Sequence, residues 1–275
     1  MFMVGLVTLP LVRKALPLEY AKWQLAAAAN AVAHSDWEEA DKRLEIAEKS
    51  SSAVRTLPDY WGVYLRLLNG DPNRNGSTDS LIDELREAIS ENGQNRLAGN
   101  WLVELLSEQG RFSEALECMK LTLGDSGAQG AIQLNQLAYH RSLANVELDE
   151  ALKDIDIALQ DFSNEPSFLD TKAWILYRQK RFEEALSAIN LALSQILPEV
   201  PAELREAPDD YDPAGLGMAP LGKLPKTVLK ERFDVIAVIR FHRMKILEAL
   251  GREEEALTDY RAIRFWGIEP TEKLY

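Results

Sequence analysis

The sequence predicts an all-α chain, a solenoid of about five helical hairpins stacked side by side. Three observations carry that prediction. The phrase "RFSEALECMKLTL" at 111–123 returns as "RFEEALSAINLAL" at 181–193. Related phrases open at 36, 146 and 251, so Ala40, Ala115, Ala151, Ala185 and Ala256 hold one equivalent position, with gaps of 36 and 34 residues from Ala115 to Ala151 and from Ala151 to Ala185. Within each copy apolar residues fall three to four apart, the spacing that lines one face of a helix.

The N-terminal segment, residues 1–19, opens with the uncharged run "MFMVGLVTLPLV" before Arg13-Lys14. A spanning helix needs about 20 apolar residues, so the run is too short to cross a bilayer alone. It reads either as the remnant of a membrane anchor over residues 1–14 or as a greasy segment docked on the first helices. A cleaved signal, with "AAAANAVA" at 26–33 as the site, is the third option.

The solenoid is expected over residues 20–268. Its first copy is "DWEEADKRLEIAEKS" from 36, and the 75 residues from Ala40 to Ala115 conceal a degenerate one, "SLIDELREAISENG", whose Leu81 lies 34 before Ala115. In "PSFLDTKAWILYRQKRFEEALSAINLAL", Leu169, Ala173 and Leu176 and then Phe182, Ala185, Ile189 and Ala192 mark the facing sides of two successive helices. Small residues at 173 and 185 let those helices approach closely. One hairpin cannot bury such a face alone, so neighbours must stack. The 71 residues from Ala185 to Ala256 hold one period and an insertion of 37, and residues 269–275 form a tail.

These residues resemble the tetratricopeptide repeat (TPR) family. Its pattern is matched by Ala138, Ser142, Leu148, Ala151, Ile155, Ala158 and Pro166 in one copy. A second carries Val103, Leu106, Gly110, Phe112, Ala115, Met119 and Thr122, and the last carries Met244, Leu247, Gly251, Ala256, Tyr260 and Ile263. Lys180 stands where glycine is usual and Thr122 where alanine is usual. The resemblance implies a right-handed α-solenoid whose first helices line a concave binding face.

Two loops interrupt the pattern, at 70–78 and 195–228. Asp71, Asn73, Asn75 and Gly76 fit the start of a calcium loop, but Ile82 stands where a bidentate acid must complete the shell. A weak calcium site on Asp71, Asn73, Asn75 and Asp79 stays open; an Asn-Gly turn with Thr78 or Asp79 capping the next helix needs no ion. In the second loop "GMAPLGKL" at 217–224 imitates a phosphate loop. Leu224 replaces the hydroxyl that meets magnesium, and Pro220 and Pro225 spoil the cradle and the helix. Prolines and acids from Leu197 to Pro225 cannot continue a helix pair, so this stretch should bulge from the solenoid as an acidic, solvated loop, or serve as a partner contact.

The 275 residues are 46% hydrophobic with a formal charge of −13, a globular composition that disfavours nucleic acid or an anionic bilayer as partner. The single cysteine, Cys118, excludes an intrachain disulfide and suits a reducing compartment; the location reads as cytoplasmic or attached to a membrane by the N-terminus. His34, His140 and His242 stand apart with no nucleophile or metal-ligand spacing, so no enzyme and no cofactor is expected.

Carried onto this chain, the family's concave positions are Asn100 and Glu104; Gln136 and His140; Asp170, Trp174, Tyr177 and Arg178; and Phe241 and Lys245. Each reads either as a partner contact or as packing within the solenoid. The lysine and asparagine clamp that grips a terminal carboxylate in some members is replaced here by Leu25, Ala29, Gln136, His140, Asp170 and Trp174. The expected function is therefore a non-catalytic scaffold for a neutral or basic peptide or protein. The alternative is a membrane-tethered assembly or stability subunit of a larger complex. A third reading, an enzyme acting through a nucleotide at Lys223, needs the imperfect phosphate loop.

Overall fold

In the computed structural model the structure describes residues 8–70, 78–91, 96–124, 127–208, 211 and 229–270. Among these residues every regular element is helical, and the chain divides into two compact units, Met1–Leu106 and Ser107–Tyr275. The division falls inside the copy expected around Val103 to Thr122.

The first unit holds α1 (Thr8–Ala33), α2 (Trp37–Ser50), a 3-10 turn at Ser52–Thr56, α3 (Pro58–Gly70), α4 (Thr78–Glu91) and most of α5 (Arg96–Glu108). α1 continues through Pro17 and runs across the boundary expected at residue 19, joining part of the apolar segment to the first hairpin. Packing sustains it: α1 lies along α2, with Ala21, Ala28, Ala40 and Ala47 wholly buried. Asp36 caps α2 by accepting the Glu39 N–H at 3.2 Å. Tyr60, Trp61 and Tyr64 form an aromatic knot on α3, and the Tyr64 hydroxyl donates to Glu84 Oε2 of α4 at 2.8 Å. Leu81 and Leu85 of the degenerate copy are buried as its spacing requires.

The second unit contains α6 (Phe112–Leu123), α7 (Ala131–Ala144), α8 (Leu148–Asp161), α9 (Pro166–Arg178), α10 (Phe182–Ile196), the short α11 (Ala202–Arg205), α12 (Leu229–Ala249) and α13 (Glu253–Phe265). Three hairpins, α7/α8, α9/α10 and α12/α13, stack in chain order, making this unit a short α-solenoid. The five equivalent alanines are buried, Ala40, Ala115, Ala151 and Ala185 with no exposed surface. A larger side chain there would force the paired helices apart. Five residues before four of these alanines the chain takes a left-handed turn, at Ser35 (φ 59°), Gly110 (71°), Lys180 (62°) and Gly251 (71°). Lys180 therefore adopts the conformation that its glycine equivalents take without cost.

The acidic insertion departs from the expectation. Its first part, residues 197–208 with Tyr211, does not bulge as a solvated loop but lies against α12 and α13. Val200 is buried, Leu204 and Ala207 join the same core, and Tyr211 meets Phe265 edge-on at 5.4 Å. The segment's polar main chain can enter this contact because arginine and tryptophan side chains of the hairpin satisfy its carbonyls. Gly217 to Leu224 lie outside the described residues, as do Asp71, Asn73 and Asn75.

Candidate functional site

The first helices of the three hairpins, α7, α9 and α12, pack edge to edge. This brings six of the expected positions onto consecutive elements at one register: Gln136 and His140, Asp170 and Trp174, Phe241 and Lys245. Their side chains divide into a buried set and an accessible set.

The buried set binds the helices to one another. His242 Nδ1 lies 2.8 Å from Asp170 Oδ1, so the ring N–H donates to the carboxylate, and both groups are buried. The indole of Trp174 stacks on His242 at 4.2 Å between centroids and on Tyr177 at 4.6 Å. Stacked rings at this separation add stability beyond their buried area. The Arg178 guanidinium lies 5.9 Å from the Trp174 ring and donates to the carbonyls of Ser142 at 3.0 Å and Leu143 at 3.1 Å, satisfying the last turn of α7. Phe241 is buried beneath the ammonium group of Lys245. Asp170, Trp174 and Phe241 are thus packing residues in this arrangement, with little surface for a ligand.

The accessible set is polar. Gln136 is exposed; His140, Tyr177, Arg178 and Lys245 are half-buried. Lys245 also pairs with Glu248 at 3.0 Å. Burial lowers the His140 pKa to about 4, so its imidazole is neutral near neutral pH. The His140 Nδ1 and Trp174 Nε1 atoms are buried with no hydrogen-bond partner among the described residues. Asn100 and Glu104 are exposed on α5 of the first unit.

Sequence reasoning missed two features. His242 pairs with Asp170 across 72 residues, and the insertion between them hides any regular spacing. A second buried cluster joins Arg240, Arg243 and Asp259, each guanidinium 2.7 Å from the carboxylate. A charged residue at an otherwise apolar helical position was the available signal for it. No group of three or more His, Cys, Asp or Glu side chains is placed to hold a metal ion among the described residues. None of the described helices is long and apolar enough to cross a membrane. Residues 1–7 of the expected anchor lie outside the described ones.

No family model and no curated protein matches the sequence. Among solved structures, the crystal structure of a tetratricopeptide repeat protein from Parabacteroides merdae ATCC 43184 superposes with a TM-score of 0.60 over 94% of this chain and 83% of its own. The two are 16% identical, so the likeness concerns architecture: this chain has the tetratricopeptide-repeat fold.

Proposed function

We propose that the protein is a non-catalytic scaffold that holds a peptide or a protein surface against the first helices of its hairpins. In the second unit Gln136, His140, Tyr177, Arg178 and Lys245 supply the contacts. The observation supporting this reading is the edge-to-edge packing of α7, α9 and α12, with the stacked rings of Trp174, Tyr177 and His242 joining the last two helices. Preorganised support lowers the entropy lost when a ligand orders the surface. Asn100 and Glu104 offer a further contact on the first unit.

A neutral or basic partner follows from the chain's net charge of −13. Asp170 adds nothing to that preference, since its carboxylate is spent on His242. A peptide library selected on the full-length protein, with dissociation constants measured by calorimetry, tests the reading. Binding should weaken by about tenfold, or 1.4 kcal/mol, in the Gln136→Ala, Lys245→Ala double variant, with the melting temperature unchanged. Selected peptides indifferent to both substitutions, or no enrichment at all, would remove the proposed face.

A further inference from the structure

The inserted segment is gripped largely by its main chain. Trp266 Nε1 donates to the Leu204 carbonyl at 2.7 Å and Arg240 Nη2 to the Arg205 carbonyl at 2.6 Å. Arg261 Nη2 donates to the carbonyls of Pro208 at 3.1 Å and Tyr211 at 2.9 Å. Every peptide carries such acceptors, so these hydrogen bonds read the turn of the main chain at α11 and beyond it rather than the side chains.

Sequence enters through a few side chains. Glu206 Oε1 lies 2.7 Å from Arg240 Nη2, the Tyr211 ring packs on Phe265, and Val200 and Leu204 are the apolar anchors. The Arg205 side chain folds back onto the carbonyls of Val200 at 2.9 Å and Pro198 at 3.3 Å, shaping the segment from within. Cationic donors thus face a run, "LPEVPAELREAPDDY", that is acidic by sequence.

Exposure of the two partners is unequal. The Arg240 side chain has no exposed surface, whereas that of Glu206 keeps 53%. The carboxylate can leave for water at little cost, but Arg240 Nη2 then loses both the acceptors it has on the segment, and the Trp266 indole loses Leu204. A buried donor stripped of its acceptor is destabilised, so the vacated surface favours any chain that restores one.

We propose that the α12–α13 surface is a peptide-docking site kept closed by the chain's own residues 197–208 and Tyr211. Its ligand in trans is an acidic segment with an apolar residue, a glutamate two positions later and an aromatic ring five positions after that, as in Leu204, Glu206 and Tyr211. The site uses no residue of α7 or α9 and none of Gln136, His140, Tyr177, Arg178 and Lys245, although α12 serves both surfaces. Tethering keeps the resident segment at an effective concentration of about millimolar, so a free ligand enters when the segment opens.

The test uses the full chain and a fluorescent synthetic peptide of residues 197–211, followed by polarisation. The Glu206→Gln, Tyr211→Ala variant should bind it saturably, and the parent at least about tenfold more weakly because the resident segment competes. Adding Arg261→Ala to the variant should weaken binding again, and a scrambled peptide of equal charge should not bind. Equal binding by parent and variant, equal binding of the scrambled peptide, or no binding by a variant with parental helicity overturns the proposal. Should the variant lose its helicity, hydrogen exchange on the intact protein decides. Amides of 203–207 exchanging at least about tenfold faster than those of α12 and α13 support a segment that opens alone, and equal rates refute it.

Discussion

Replacing Asp259 by leucine should weaken the second unit more than any surface change. The carboxylate is wholly buried and accepts three hydrogen bonds, one from Arg240 Nη1 and two from the Nε and Nη2 groups of Arg243, each at 2.7 Å. Removing it takes the buried anion from a fully buried guanidinium that keeps the neutral Arg205 carbonyl, and breaking such a buried pair costs about 3–5 kcal/mol. Glu206 offsets little, because a half-exposed carboxylate is screened by water and contributes under about 1 kcal/mol.

Combining Asp259→Leu with Arg240→Met removes both charges from the interior. Arg243, partly exposed, retains Asn190 at 3.3 Å and can reach solvent. The double variant should then lie within about 2 kcal/mol of the parent, a coupling of at least about 1 kcal/mol. Urea unfolding followed by circular dichroism measures all four proteins. With a slope of about 2 kcal/mol/M the single variant's midpoint falls by about 2 M, and the double variant recovers half or more of the loss. A single variant within about 1 kcal/mol of the parent, or a double variant no better than the single, would show that the cluster does not hold the hairpin as described.

Two further outcomes concern single residues. Lys180→Gly relieves the left-handed backbone at φ 62° and should raise stability by about 0.5–1 kcal/mol, or about 2–3 °C in melting temperature; a lower melting temperature would contradict the turn. His140 titrates near 6.5 when unfolded and near 4 when folded, so the unfolded chain takes up the extra proton between those values. Its contribution is present in full above pH 6.5 and is lost as pH falls towards 4, by on the order of 3 kcal/mol. Denaturation at several pH values should show His140→Gln losing less stability over that range than the parent, and parallel curves would refute the assignment.

How far the sequence disclosed this architecture depends on the range of the forces involved. The alanines at 40, 115, 151, 185 and 256 were legible because each answers to a helix a few residues away, and a local constraint repeats whenever its unit repeats. Leu81 was legible for the same reason despite a poor copy. The division of the accessible face was not. Trp174 and Asp170 sit at positions where the family offers ligand contacts, and only the arrival of His242 from beyond the insertion turns them inward. Residues 197–208 and Tyr211 were misjudged because an acidic, proline-rich composition hides both the carbonyl oxygens that the hairpin's donors reach and the few apolar side chains that enter the core.

The equivalent alanines act by what they lack. A position whose whole contribution is the absence of bulk tolerates almost no replacement, while the outward surfaces of the same hairpins carry solvent-exposed side chains such as Ile157 and Leu191. Mutation can therefore rewrite the exterior of each repeat, and with it the choice of companion, while a handful of methyl groups preserves the frame.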